Sequence, residues 1–390
     1  MKIHSLFAHG TAVLMSTTLF LSSCQKGQEV ISQEPVFALA PVIQSPTLPT
    51  TPYFYANLVL PNYFNQPNVT NANNTPSTNP ITDNGATLGR VLFYDKNLSA
   101  NRTISCASCH KQGNSFSDPV TFSTGFAGGK TTRNSMSLLN ARYYPNGRFF
   151  WDERSASAEA QASQPLVNPV EMGMTMPDVI SRINSLSYYP ALYQKAFGST
   201  TIDSARTVRA IAQFVRSMVS YRTKYDVGRS AFAVNQNPAT VNFANFSTQE
   251  NRGKQIFFTT GACASCHGTE TFTSPGAKNN GLDLVYTDNG VGAVTRNAAQ
   301  NGFFKSPSLR GIEKSAPYMH DGRFATLEQV VEHYNSQVKP HQNLSPELRA
   351  PNGQPRRLNL SAADKAALVA FLKTLTDTGI ETDVKYSSPF

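Results

Sequence analysis

The chain has 390 residues, with 34 Lys and Arg against 25 Asp and Glu and a formal net charge of +9. That length is ample for two domains, each with its own core. Five cysteines exclude a disulfide-stapled scaffold, and beyond the N-terminal segment no apolar run approaches the ~18 residues of a membrane span.

Residues 1–23 read as a lipoprotein signal peptide, to be set apart from the fold. Lys2 precedes an apolar run holding Val13, Leu14, Met15, Leu19, Phe20 and Leu21, which closes on Leu21-Ser22-Ser23-Cys24. That ending resembles the bacterial lipobox, so Cys24 would become a lipidated first residue. A plain secretory signal or short uncleaved anchor is the alternative. The expected location is the periplasm, with the membrane touched only through the lipid at Cys24. In that compartment nucleic acid is not an expected partner, and the positive charge serves solubility or steers an acidic redox donor.

Residues 24–83 are rich in Pro, Asn, Thr and Gln, and Asn71 to Pro80 offers almost nothing to bury. They read as a disordered tether. A first domain is expected over 84–235, a linker over 236–247 and a second domain over 248–380. Gly89-Arg90-Val91-Leu92-Phe93 leads into Cys106-Ala107-Ser108-Cys109-His110, and Gly253-Lys254-Gln255-Ile256-Phe257 leads into Cys263-Ala264-Ser265-Cys266-His267. Each Gly precedes its Phe by one helical turn, and a further Phe (Phe116, Phe272) follows each cysteine motif.

Both cysteine motifs are C-x-x-C-H, the pattern for covalent c-type haem. Two thioethers and a proximal imidazole must reach one planar macrocycle from a single tight turn. Neither motif has further cysteines nearby to complete a structural zinc site, and a thioredoxin-like pair would not need the histidine twice. Two covalent haems follow, on Cys106, Cys109 and His110 and on Cys263, Cys266 and His267.

A helix is expected from Ser204 to Tyr221, with Val208, Ile211, Ala212, Val215 and Val219 on one face. Residues 339–358, with four prolines, read as a loop over the second haem. Ser361 to Asp364 resembles a capping box before a terminal helix whose Leu368, Phe371, Leu372 and Leu375 repeat at helical spacing. The fold class is therefore mainly α: two cytochrome c-like domains in tandem, with much irregular loop. No histidine lies between His110 and His267, so the first iron lacks a nearby sixth histidine. Met172, Met174 and Met176 either pack or supply a sulfur.

Several runs resemble one family: Leu88 to Phe93, Arg133-Asn134, Leu138 to Asn140, Phe150-Trp151-Asp152, Asn168 to Met172, Lys305 to Arg310, and Ala316 to Arg323. Together they are similar to bacterial di-haem cytochrome c peroxidases and the related MauG enzymes, in the same order along the chain. The resemblance implies that the N-terminal haem meets peroxide, that Glu171 is its distal catalytic carboxylate and that Gln161 shares the distal pocket. A carboxyl there can shuttle a proton between the peroxide oxygens. It implies also that Trp151 relays electrons between haems, although the usual Trp-Asp-Gly-Arg reads Trp151-Asp152-Glu153-Arg154 here.

The same resemblance implies a haem-contacting His320 and a second axial ligand fourteen residues beyond it. Ordinary members have methionine there and MauG-like members tyrosine; this chain has Tyr334. An uncoordinated Tyr334, or ligation by Met319 or His333, are the alternatives. A calcium ion between the domains is implied on Asn134, Ser315 and Pro317, hard oxygen donors. Three functions stay in play: a hydrogen peroxide-reducing enzyme fed by a small redox protein, a MauG-like oxidant of side chains on a protein substrate, and a non-catalytic electron-transfer cytochrome.

Overall fold

The computed structural model describes residues 44–390; the signal segment and Cys24 lie outside the described residues. Among these residues helices are joined by long loops, and isolated β-bridges are the only extended pairings. In the first lobe, helix α1 spans Asp83–Tyr94, α2 Ala158–Val167, α3 Met176–Asn184, α4 Tyr189–Phe197 and α5 Ser204–Ser217. Their starts are set by side-chain caps from Thr82, Ser157, Thr175 and Asp203 onto orphan backbone N–H groups, α4 excepted. In the second lobe α6 spans Lys224–Ser230, α7 Thr248–Phe258, α8 Leu327–Glu332 and α9 Ala362–Lys373.

The sequence repeat becomes a structural one. Helix α1 crosses α5 so tightly that a Cβ on Gly89 would lie 2.0 Å from Ala210 O and 2.8 Å from Phe214 Cβ. Helix α7 crosses α9 in the same way: a Cβ on Gly253 would lie 1.8 Å from Ala367 O and 2.9 Å from Phe371 Cβ. Each glycine lets two backbones touch, and each phenylalanine one turn further on fills the core beneath. Leu88, Val91, Leu92 and Phe93 anchor the first core; Ile256, Phe257, Leu368 and Leu372 anchor the second. Each crossing backs one cysteine motif.

Two chain segments depart from the expected layout. From residue 44 on, the stretch expected as tether is folded: Tyr55, Tyr63, Phe64 and Val69 are buried, and Tyr55 joins the first core. Sparse aromatic anchors hold this polar segment, with Asp83 Oδ1 accepting from the backbone N–H of Tyr55 and Ala56. Residues 236–247, expected as a linker, send Phe243 and Phe246 into the second core. Beyond α9 the chain returns to the first lobe, where Tyr386 packs in that core and Ser387 O accepts from Arg90 Nε at 2.6 Å.

One charge pair locks the second lobe and another joins it to the first. Arg310, fully buried, makes a two-pronged pair with Asp226 of α6 at 2.7 and 2.9 Å, and Tyr63 donates to the same carboxylate at 2.7 Å. Burial works against the Asp226 charge, but Arg310 overrides it and holds the carboxyl below its ordinary range. Arg133 joins Asp152 in the first lobe to Asp288 in the second.

Candidate functional site

Each C-x-x-C-H motif ends in a histidine oriented by its own loop. His110 Nδ1 donates to Phe116 O at 2.9 Å, and His267 Nδ1 donates to Phe272 O at 2.9 Å. Phe116 and Phe272 both take positive φ, 56° and 54°, which turns their carbonyls back toward the rings. A held Nδ1–H fixes the tautomer and leaves Nε2 as the free metal donor. Burial lowers the pKa of both imidazoles, which favours that neutral form. The four motif cysteines form no disulfide. Paired thiols and a pre-oriented imidazole beside a largely apolar cavity fit covalent haem in both lobes.

The first cavity is lined by His110, Gln161, Asn168, Glu171, Arg154 and Trp151, among others. Gln161 comes from α2; Glu171 comes from the loop after it. That loop is pinned by Phe126, whose N–H donates to Glu171 O at 2.9 Å, and by Gly125, where a Cβ would strike Val170 O. Asn168 Nδ2 donates to Glu171 Oε1 at 2.8 Å. Burial raises the Glu171 carboxyl, and Arg154 tempers the rise. The Cys106 thiol is pushed up to about 12 by burial, then Cys109, with Glu171 adding to it. Met172 and Met174 are buried in the first core, so they pack.

Trp151 lines both cavities. Its Nε1 donates to Asn134 O and its carbonyl accepts from Lys305 N, both at 2.8 Å. Asp152 is clasped by Arg133 and Arg154. Glu153 stands at φ 56°, the left-handed turn that glycine adopts freely, so glutamate here holds the kind of turn the usual glycine of Trp-Asp-Gly-Arg would make. The Glu153 carboxylate accepts from Tyr144 Oη and from Asn146 Nδ2. Lys305 Nζ lies 3.9 Å from the Tyr144 ring centroid.

The second cavity is lined by Cys263, Cys266, His267, Met319, His320 and Tyr334, and also by Asn134, Ser315 and Pro317. Tyr334 rides a single π-helical turn, His333–Gln337, a local widening often found at functional sites. Burial pushes its phenol up to about 12, Asn280 opposes this, and the Cys266 and Cys263 thiols add to it; Tyr334 and both thiols line the same cavity. Asn280 Nδ2 is 3.2 Å from Tyr334 Oη and 3.4 Å from Met319 Sδ. His333 Nε2 is engaged with Asn280 O at 3.0 Å. His320 stacks flat on Phe304, with centroids 3.6 Å apart, and its carbonyl accepts from Asn134 N at 2.8 Å. Asn134 Nδ2 donates to Val120 O and Thr121 O.

Sequence reasoning missed Asn280 and the Tyr144–Glu153–Lys305 cluster. No periodicity marks a lone asparagine in a loop. The odd residue at 153 was visible, but its partners were not.

The sequence profile of the di-haem cytochrome c peroxidase family matches residues 83–230, and that of cytochrome c matches residues 250–376. The methylamine utilization protein MauG of Methylorubrum extorquens is 34% identical over 303 residues, 77% of this chain and 80% of that protein. The cytochrome c551 peroxidase of Nitrosomonas europaea is 33% identical over 306 residues, 77% and 81% of the two chains. A solved MauG-like protein associated with microbial copper homeostasis superposes with a TM-score of 0.70 at 30% identity, covering 80% of this chain and 95% of that one.

Proposed function

The chain belongs to the di-haem cytochrome c peroxidase family, oxidoreductases with two c-type haems, and from that premise we propose that it reduces hydrogen peroxide to water at the N-terminal haem. Electrons enter through the C-terminal haem. The observation that carries this reading is the convergence of Glu171, Gln161 and Trp151 on the wall of the cavity that His110 serves. When bound, the haems supply the iron chemistry that splits the O–O bond at one centre and passes electrons at the other.

The protein's own groups do the rest. Cys106, Cys109 and His110 would hold the first haem; Cys263, Cys266, His267 and Tyr334 would hold the second, in the cavity that His320 also lines. Asn168 fixes the Glu171 carboxyl, which takes the proton from the inner peroxide oxygen and returns it to the outer one as water departs. A carboxyl raised by burial is better matched to carry that proton near neutral pH. Gln161 orients the peroxide. Trp151, shared by both cavities, carries electrons between them. Asn134, Ser315 and Pro317 offer oxygen donors for a calcium ion; the shared cavity wall supports that grouping. The setting is the periplasm, with a lipid anchor at Cys24.

A second reading, oxidation of a partner protein's side chains in the manner of MauG, is favoured by one observation. Tyr334 lines the second cavity together with Cys263 and Cys266, and a phenolate ligand favours higher oxidation states where methionine favours reduction. EPR of the resting ferric holoprotein tests both readings against plain electron transfer. One high-spin iron that reacts with peroxide is expected. Two low-spin irons indifferent to peroxide would leave only a wire. Fast turnover with a reduced small cytochrome separates the peroxidase from the slow protein oxidant.

A further inference from the structure

Glu153 occupies a backbone conformation that costs a non-glycine residue about 1 kcal/mol or more, at a position where the resembled family has glycine. Its carboxylate is 7% exposed and is spent on two neighbours, Tyr144 Oη and Asn146 Nδ2. Tyr144 is itself 1% exposed and lines the first cavity together with Trp151 and Glu171. A phenol on the wall of an oxidising site, hydrogen-bonded to a buried carboxylate, has what one-electron oxidation of tyrosine requires: a base waiting for the proton.

We propose that Tyr144 is a proton-coupled redox site, which holds one oxidising equivalent from the first cavity as a neutral tyrosyl radical while Glu153 holds its proton. One electron leaves Tyr144 toward the peroxide-oxidised centre, the phenolic O–H bond breaks, and an O–H bond forms on the Glu153 carboxylate. Re-reduction reverses both transfers. Lys305 Nζ lies 3.9 Å from the ring centroid; burial lowers its pKa to about 7 and Glu153 opposes this, and in its protonated form it disfavours a positively charged ring, so the electron and proton leave together. Trp151 then has a partner on the same cavity wall, and a hole generated before the reductant arrives has a second place to rest. The proposal rests on the peroxidase reading for its oxidant.

The test is freeze-quench EPR of the ferric di-haem holoenzyme mixed with hydrogen peroxide, with ring-deuterated tyrosine to assign any radical. A tyrosyl signal is expected in the wild type, absent in Tyr144→Phe and at least tenfold weaker in Glu153→Gln and Glu153→Gly. The glycine variant suits the left-handed turn, and the optical haem content verifies folding of all three. Haem spectra that respond to peroxide without a tyrosyl signal, or a signal undiminished in Tyr144→Phe, overturn the proposal and leave the peroxidase reading intact. Haem spectra indifferent to peroxide overturn the peroxidase reading instead. A second arm, oxidation by photogenerated ruthenium(III) tris-bipyridine, then decides Tyr144 by the same variants: a radical lost in Tyr144→Phe supports the site, and one retained there, or none in the wild type, rejects it.

Discussion

Asn280 donates its side-chain amide to Tyr334 Oη at 3.2 Å. The same amide lies 3.4 Å from Met319 Sδ, so one donor holds a phenol and a thioether side by side at the second cavity. A hydrogen bond to an oxygen favours its anionic form, whereas sulfur is only a weak acceptor. The arrangement therefore favours Tyr334 over Met319 as the iron's partner. Tyr334→Met should raise the second haem's midpoint potential by on the order of 0.1 V, given that axial ligands span ~0.8 V. Met319→Leu should leave it near the wild-type value. Spectroelectrochemical titration of both variants measures this, and an unmoved potential in Tyr334→Met removes the tyrosine from the coordination sphere.

Glu171 offers a sharper kinetic prediction. Losing a positioned proton shuttle costs roughly 10²–10⁴ in rate, so Glu171→Gln should slow the peroxide reaction by about that factor with both haems retained. The pH dependence has a definite sign. The carboxylate must be ionised to accept the first proton, and burial sets its pKa above the ordinary value. The rate should therefore fall as pH drops through that raised pKa, and this acidic limb should vanish in Glu171→Gln. Stopped-flow mixing across pH reads both effects.

Glu159 of α2 sits in a two-pronged pair with Arg216 of α5, at 2.6 and 3.0 Å, and also accepts from Asn79 at 2.7 Å. Burial would raise its pKa, yet Arg216 and Asn79 bring it down to about 2. A depressed carboxyl pKa stabilises the fold above the unfolded value near 4.5, and that share is lost as pH falls from there through about 2. After screening of this partly exposed pair the contribution is about 1–2 kcal/mol. Glu159→Gln should thus lower the denaturant midpoint at pH 7 and narrow the gap to wild type near pH 3. An equal deficit at both pH values would remove the charge from the account.

Some of this molecule was legible beforehand and some was not, for reasons that differ by residue. The expected helix over 204–221 forms as Ser204–Ser217, and Ser361 caps the last long helix through Asp364 N at 3.1 Å. Periodic apolar faces and caps are local signals, so a single sequence carries them. The two C-x-x-C-H turns are local as well. Residues 44–82 misled because their average composition is polar, while a few aromatics placed between turns do the anchoring. Tyr53 and Tyr55 pack against the first core, and no window average registers so thin a pattern. The return of Tyr386 to that core, and the reach of Asn280 to Tyr334, are contacts between loops distant in sequence. Nothing periodic announces them.

The paired glycine crossings make the last prediction. At Gly253 an added methyl would meet a backbone carbonyl, Ala367 O, at 1.8 Å, and a carbonyl inside α9 cannot rotate aside. The helices must part, which loosens Phe371 and the core behind the second haem motif. Overpacking of this kind costs typically 1–3 kcal/mol, against which alanine regains at most about 1 kcal/mol of helix propensity. Gly253→Ala and Gly89→Ala should both lower the thermal midpoint. The control is Gly113, where a Cβ meets nothing within 4 Å and φ is not positive; alanine there should be neutral or stabilise by about 0.4–1 kcal/mol. Differential scanning calorimetry of the three variants decides it: if Gly253→Ala melts with the Gly113 variant, the backbone contact is not what sets the helix spacing.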